Sequence, residues 1–376
     1  MEAHLQPAPA LSVVIPTRNR AKLLAASLRS FEGQSLPRRQ FEVVVVDDGS
    51  TDETRKTCAG FEPTLRIRYV RLAQSGISAA KNLGIFVSTG RLLLFFDDDD
   101  IAGDDLLGQH VESHAAHPQD NVAILGYTTW VPELSITPVM KYATEIGQNL
   151  FSYPCITHGQ ELGFTNFWGG RTSCKRSLLV RHGIFNQGFT FGSEDIELAY
   201  RLVRVGLKVI YNQNAISYMN RPLSYDELCK RSYRQGRSQV LFSRLHQDPV
   251  IQEYCQAVDA DRRWREASRT LERDAARVRT LEASLEGMND EGQRGLALEE
   301  LWSLYRRTFH AFTLKGFVEG GDSMPEPRMP HREAAKPYDE HPAIGATRRA
   351  RPIACHLPQV PPIAENDAWS AGLRER

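Results

Sequence analysis

The sequence predicts an α/β fold with a mostly parallel central sheet, followed by an α-helical C-terminal extension. Three observations carry this expectation. Short apolar runs alternate with helix-spaced segments between Leu11 and Phe96. One of these runs, Leu92-Leu93-Leu94-Phe95-Phe96, has the composition of a strand buried on both faces, and it passes directly into Asp97-Asp98-Asp99-Asp100. From Tyr254 onward the pattern changes to charged sequence with a narrow apolar seam.

Leu11 to Ile15 reads as the first strand, ending at Pro16, with Thr17-Arg18-Asn19-Arg20 at its carboxyl end. Leu23, Leu24, Ser27, Leu28 and Phe31 then fall on one helical face. The second strand is the run Phe41 to Val46, followed at once by Asp47-Asp48-Gly49-Ser50-Thr51-Asp52. Gly49 permits a tight turn, and Ser50 or Thr51 is expected to cap the next helix. One of the two acids can accept from a nucleobase N–H; equally, both can serve as helix caps. Leu65 to Leu72 reads as a third strand, and Gly76 to Gly84 as a loop and helix start. Lys81, near small residues and a helix N-terminus, suits a diphosphate, with a plain surface lysine as the alternative.

The acidic run closes the fourth strand. Ligands of open α/β sheets bind at the carboxyl ends of strands. Packed carboxylates repel one another without a cation, and Mg²⁺ commonly shares its shell with substrate phosphates. A metal site for a phosphorylated ligand is the functional expectation; a solvated acidic loop is the alternative.

In the second half, His110, His114 and His117 have ligand-like spacing but no acidic or cysteine partners, so they are expected at the surface or in helix packing. Val122 to Tyr127 is the next strand. Trp130 to Pro154, rich in aromatics and prolines without a clean period, is expected as a variable excursion near the site. Asn166 to Arg176 reads as a loop entering a strand, with Gly169 and Gly170 allowing close backbone approach. Trp168 offers a flat face to a sugar ring or is an ordinary core tryptophan. Glu194 and Asp195 open a helix whose Ile196, Ala199, Tyr200 and Val203 share one face. The helix dipole favours acids there, and Ser193 is the expected cap. Lys208 to Tyr211 is a further strand.

Three strings together, Val13-Val14-Ile15-Pro16-Thr17-Arg18-Asn19, Val46-Asp47-Asp48-Gly49-Ser50-Thr51-Asp52 and Phe96-Asp97-Asp98-Asp99-Asp100, resemble family 2 glycosyltransferases of GT-A fold in order and spacing. The resemblance covers Leu11 to Pro249, roughly two thirds of the chain. It implies a nucleotide-diphosphate-sugar donor, a divalent metal (Mn²⁺ or Mg²⁺), a carbohydrate, lipid-linked or other hydroxyl acceptor, and inversion at the anomeric carbon. It places Pro16, Thr17 and Arg18 at the nucleoside, Asp48 at the base, and Lys81 near the diphosphate. Asp97 and Asp99 become the outer acids of the D-x-D motif, Asp98 reaches the ribose, and Asp99 is the metal ligand. Trp168 and Gly169 fall between donor and acceptor. Glu194-Asp195 resembles the family's E-D motif, with Asp195 as catalytic base. One departure is visible: Ala215 to Asn220 lacks the histidine that many relatives place after this strand, so the metal would rest on Asp99, diphosphate oxygens and water.

Composition narrows the alternatives. Lys plus Arg and Asp plus Glu both number 46, which gives no electrostatic case for nucleic acid. No apolar run approaches the ~20 residues of a membrane span, and residues 1–10 lack a secretory pattern. Six scattered cysteines without a CxxC pair suggest reduced thiols and a cytoplasmic setting. A non-catalytic nucleotide-sugar module would lack the metal or base acids. A nucleotidyltransferase would show a glycine-rich phosphate loop after the first strand, where Pro16-Thr17-Arg18-Asn19 stands.

Beyond Tyr254, Trp264, Leu271, Val278 and Leu285 recur every seven residues with Leu281 adjoining. A break at Gly287 to Asp290 precedes a second helical run, Leu296 to Phe317. A hairpin or short coiled coil is expected, which also offers a surface for oligomers. After Gly320 the chain holds nine of its twenty prolines, so an irregular tail is expected. The expected domains are therefore residues 1–250, 251–320 and 321–376.

Overall fold

Four apolar runs of the first half lie side by side in the computed structural model, which describes residues 8–285 and 287–323. They are β1 (Leu11–Thr17), β2 (Phe41–Asp47), β3 (Ile67–Arg71) and β4 (Leu92–Phe95). All are parallel, in the order β3-β2-β1-β4. The runs are continuously apolar because both faces are covered. Val13 and Ile15 face the core that holds Leu24, Leu28 and Phe31 of α1 (Ala21–Glu32). Val14 faces the opposite core, shared with Ile85. After α2 (Thr54–Phe61) comes α3 (Ile77–Val87), which lies so close to β1 that a Cβ on Gly84 would stand 2.3 Å from Val14 Cγ1.

The expected capping of α2 differs. Neither Ser50 nor Thr51 caps it, because the helix starts only at Thr54 and its N-cap position, Glu53, makes no capping bond. Ser50 Oγ instead accepts from the Asn19 N–H at 2.9 Å. Asp52 satisfies both ends of the turn, accepting from the backbone of Thr54 and of Ala21.

The second half makes the sheet mixed. Its elements are β5 (Asp100–Ala102), α4 (Leu106–Ala116), β6 (Val122–Trp130), α5 (Pro138–Lys141), β7 (Glu161–Leu162), β8 (Thr172–Lys175), α6 (Arg176–His182), α7 (Glu194–Leu202) and β9 (Lys208–Met219). The order continues β4-β8-β6-β9-β5, with β7 also on β9. β8 is antiparallel to both β4 and β6, so the loop before it arrives at the carboxyl end of β4. β6 and β9 are parallel, and their register jumps from Gly126–Asn212 to Tyr127–Ile216. His110 and His114 are core residues, 0% and 4% exposed, which share the Ser173 hydroxyl at 2.8 and 3.0 Å.

Residues 130–154 are tied down by their aromatics. Tyr142 is 2% exposed and its ring meets Trp302, Tyr305 and Phe309, while Phe151 and Tyr153 pack on Trp168. The aromatics that blurred the sequence period are its anchors, each contributing on the order of 1.5–3 kcal/mol by burial.

Four helices complete the described chain: α8 (Tyr225–Leu245), α9 (Pro249–Tyr254), α10 (Ala260–Leu285) and α11 (Glu291–Ser323). A capping box between Ser224 and Glu227 starts α8. α10 and α11 run antiparallel, with Arg277 on Glu300 at 2.7 Å and Arg307 on Asp274 at 2.8 Å. α11 starts before Leu296 and continues past both Phe317 and Gly320. It crosses α8 backbone to backbone. A Cβ on Gly236 would stand 2.0 Å from the Thr313 carbonyl, and one on Gly316 1.9 Å from that of Tyr233. The tail expected after Gly320 lies, beyond Ser323, outside the described residues.

Candidate active site

The acidic run turns a corner rather than forming a solvated loop. β4 stops at Phe95, and Asp100 starts β5, held antiparallel to β9 through the pair Asp100–Met219. Alternate acids therefore point inward: Asp98 and Asp100 are 4% and 1% exposed, while Asp97 and Asp99 stay half-buried. Such crowding requires countercharge, and arginines supply it. Arg20 donates to Asp98 at 2.8 Å and Asp99 at 3.2 Å. Arg221 donates to Asp99 at 2.9 Å. Arg171 donates to Asp97 at 3.1 Å and Asp100 at 3.2 Å, with Nε on the Thr128 hydroxyl and its plane 4.2 Å from the Phe151 ring centre. Burial still pushes Asp98 up to about 6 against the pull of Arg20, and raises Asp100 well above the usual carboxylate range.

The glycine pair joins this cluster to the second acidic group. A Cβ on Gly170 would stand 2.0 Å from Asp97 Oδ2. One on Gly169 would stand 2.5 Å from Lys81 Nζ and 3.1 Å from Asp195 Cβ. The loop expected to need close approach thus fills the space between Asp97, Lys81 and Asp195. Trp168, half-buried, is held by its indole N–H on the Thr165 carbonyl at 2.8 Å.

Glu194 and Asp195 open α7, preceded by Ser193 in the left-handed region at φ 63. Ser193 does not cap the helix, because that backbone turns its hydroxyl to Gln235 Nε2, at 2.8 Å. Asp195 accepts from the Gly169 N–H at 2.8 Å and from the Ile196 N–H at 2.8 Å. Asp195 is half-buried, and desolvation and the charge of Glu194 push it up to about 6. An upward shift of this kind moves a carboxyl toward the range that suits a general base.

Lys81 is buried rather than on the surface. It is 2% exposed, donates to Glu194 at 2.9 Å and lies 5.2 Å from the Phe185 ring centre. Burial works to lower its pKa, but Glu194, Asp195 and Asp97 together hold it above the ordinary lysine value.

The expected nucleoside residues line the other end. The Thr17 hydroxyl donates to Asp98 at 2.7 Å, Pro16 is the half-buried residue before it, and Arg18 reaches Gln74 at 2.6 Å in the open. Asp48 accepts from the backbone N–H groups of Ser75 and Gly76, at 2.6 and 3.0 Å, and so fixes the turn into α3. Among the described residues, no three ligand-type side chains converge as a preformed metal cage. Asp99 Oδ1 makes no hydrogen bond within the described chain, so the residues fit a cation completed by ligand phosphates and water.

Arg20, Arg171 and Arg221 were not legible as site residues. Arg20 had a signal, its place in the loop at the carboxyl end of β1. Arg171 and Arg221 reach the acids only through β8 and β9, pairings that local sequence does not report.

Residues 12–179 match the family model described as glycosyl transferase family 2; Glu194 and Asp195 lie beyond that match. The chain is 31% identical over 229 residues to validoxylamine A glucosyltransferase of Streptomyces hygroscopicus subsp. jinggangensis, covering 55% of this chain and 54% of that protein. It is 30% identical over 241 residues to chondroitin synthase of Escherichia coli, covering 56% and 35%. The matched stretch thus spans about half or less of these relatives. In fold, it is similar to a mannosyltransferase from Pyrobaculum calidifontis in complex with GDP-Man and Mn2+, at TM-score 0.55 and 21% identity, covering 84% of this chain and 87% of that one. With the parallel strands, the acidic corner and the matched segment in agreement, the chain carries a segment, residues 12–179, that is similar to glycosyl transferase family 2, and it has a GT-A fold.

Proposed function

We propose that this protein transfers a sugar from a nucleotide-diphosphate donor to an acceptor hydroxyl, with inversion at the anomeric carbon. The observation that carries the reading is the Gly169-Gly170 contact, which sets Asp195 and Lys81 on one side and Asp97 on the other. A donor whose phosphates lie at the Asp97–Asp99 corner then presents its sugar toward Asp195. The nucleoside lies along Pro16, Thr17, Arg18 and Asp48, with the Arg18 guanidinium at the open edge. Asp195 takes the acceptor's hydroxyl proton. The freed oxygen attacks the anomeric carbon, and the bond to the diphosphate oxygen breaks with its electron pair on the diphosphate. The Gly169 N–H and the helix turn hold Asp195 in place; Glu194 and Lys81 pair beneath it. General-base assistance of this kind contributes typically 10²–10⁴-fold.

Mn²⁺ or Mg²⁺ at Asp99 would supply Lewis-acid neutralisation of the diphosphate. The same reading takes residues 1–250 as the catalytic domain, 251–320 as a helical extension and 321–376 as a tail. It places the protein in the cytoplasm, in line with the free thiols Cys58, Cys155, Cys174, Cys229 and Cys255.

The experiment is incubation of the full chain with a panel of radiolabelled nucleotide-sugars and hydroxyl acceptors, followed by product separation. Sugar transfer with the opposite anomeric configuration is the expected result. Nucleotide transfer, or binding without turnover across the panel, overturns the reading.

A further inference from the structure

The cations at the acidic corner are all paired, but two further arginines beside the proposed base are not. Arg231 and Arg234 lie one turn apart on α8, and their guanidinium carbons stand 5.5 and 3.7 Å from the centre of the Phe191 ring. Phe191 leads into the Gly192-Ser193 turn before Glu194 and Asp195. α8 is clamped to that turn. Gln235 reaches Ser193, the Ser238 hydroxyl donates to the Phe191 carbonyl, and a Cβ on Gly192 would stand 2.2 Å from Gln235 Oε1. The position of α8 is fixed in turn by its close crossing with α11 at Gly236 and Gly316.

Neither guanidinium has a hydrogen-bonded or ion-paired partner among the described residues, and both are exposed. Arg231 is nonetheless crowded: desolvation lowers it below the ordinary arginine value, while Asp97, Asp195 and Glu194 act on it from the cleft and Arg171 opposes them. Desolvation also lowers Arg234, with Arg20 as its charged neighbour. Both guanidinium groups thus stand on the exposed side of α8 that carries the Phe191 stack. Stacking on an aromatic face fixes a guanidinium while leaving its N–H donors free, the arrangement that suits bidentate recognition of phosphate or carboxylate.

We infer that Arg231 and Arg234 form an anion subsite on the α8 wall of the cleft, taking a phosphate group beside Asp195. The inference rests on the transferase reading for what arrives there. A phosphate can enter as the donor's diphosphate or on a phosphorylated acceptor, and both share this chemistry. The subsite would make the cleft selective for ligands that carry negative charge next to the reacting hydroxyl or the departing group.

The test uses the full chain as wild type, as R231Q/R234Q and as R231K/R234K, with folding checked by circular dichroism. One arm titrates UDP against UMP and GDP against GMP by calorimetry. The other titrates glucose 6-phosphate against glucose, with and without nucleotide. The wild type should prefer the more phosphorylated member of at least one pair. The glutamine variant should lose that preference by about tenfold, and the lysine variant should retain part of it because charge remains. Loss confined to the nucleotides assigns the subsite to the donor; loss confined to the sugar phosphate assigns it to the acceptor. Wild-type preferences kept by the glutamine variant in both arms overturn the inference, as does a wild type without preference in either. A wild type that binds no nucleotide, but whose glucose 6-phosphate preference vanishes in the glutamine variant, sinks the donor reading and supports the subsite.

Discussion

Arg221 donates through Nε to Asp99 Oδ2 at 2.9 Å, so a protein cation already sits on the carboxylate proposed as the metal ligand. It follows directly after the stretch where the sequence lacks a histidine. A metal and this guanidinium compete for one charge, each favoured when the other is absent. Arg221→Gln should therefore bind Mn²⁺ several-fold more tightly than wild type without nucleotide, as read by electron paramagnetic resonance of free Mn²⁺. Unchanged or weaker binding would show that Asp99 is not the ligand.

Asp195 is expected to act by losing its proton, so its raised pKa sets the direction of the pH profile. Turnover should fall as pH drops through about 6, where the carboxyl protonates. Asp195→Asn should keep its fold and nucleotide affinity, yet lose about 10²-fold or more in kcat. A purely structural Asp195 predicts instead a loss of at most ~1 kcal/mol in stability and little change in rate.

The Lys81–Glu194 pair, at 2.9 Å and almost wholly buried, makes a second kind of forecast. Removing one partner leaves the other charge stranded, which typically costs about 3–5 kcal/mol. Lys81→Met should thus lower the midpoint of urea unfolding, and Glu194→Gln on top of it should restore part of the loss. If Lys81→Met keeps full stability and loses only nucleotide binding, the lysine serves the diphosphate directly.

Gly170→Ala tests the geometry between the two acid groups. Its methyl would meet Asp97 Oδ2 at 2.0 Å, so the loop or the carboxylate must move. The expected result is a folded protein with at least tenfold lower kcat/KM, since an ångström of misplacement costs roughly 10²-fold in well-ordered sites. Wild-type kinetics would show that the Asp97 contact is irrelevant to turnover.

His110 and His114 give a stability forecast away from the site. Burial lowers both to about 3. The unfolded chain then binds protons below about 6.5 that the folded chain refuses until about pH 3, so stability falls across that window as pH drops. At pH 5 each histidine should cost on the order of 2 kcal/mol. Urea unfolding of His110→Gln and His114→Gln from pH 7 to 4 should show a flatter loss than wild type. Parallel curves would remove the histidines as the cause.

Local order along the chain was enough for much of this protein. Continuous apolar runs mark strands covered on both faces, and carboxylates at their ends mark the ligand edge, because both follow from neighbouring residues. The same holds for Gly169-Gly170, whose missing side chains announce a close approach without saying to what. Their partners, Asp97, Lys81 and Asp195, become visible only when β8 runs back antiparallel beside β4. The balance of charge at the acidic corner also belongs to the fold, since Arg171 and Arg221 are 74 and 122 residues distant from the aspartates they hold. Lys81 reads as a surface or ligand-facing lysine until α7 brings Glu194 to it across 113 residues. Residues 130–154 show no clean period in the sequence, and only the fold sets Tyr142 against Tyr305 of α11. A strand or turn is decided by short-range sterics and burial pattern, whereas an ion pair is decided by which distant backbones are brought within reach.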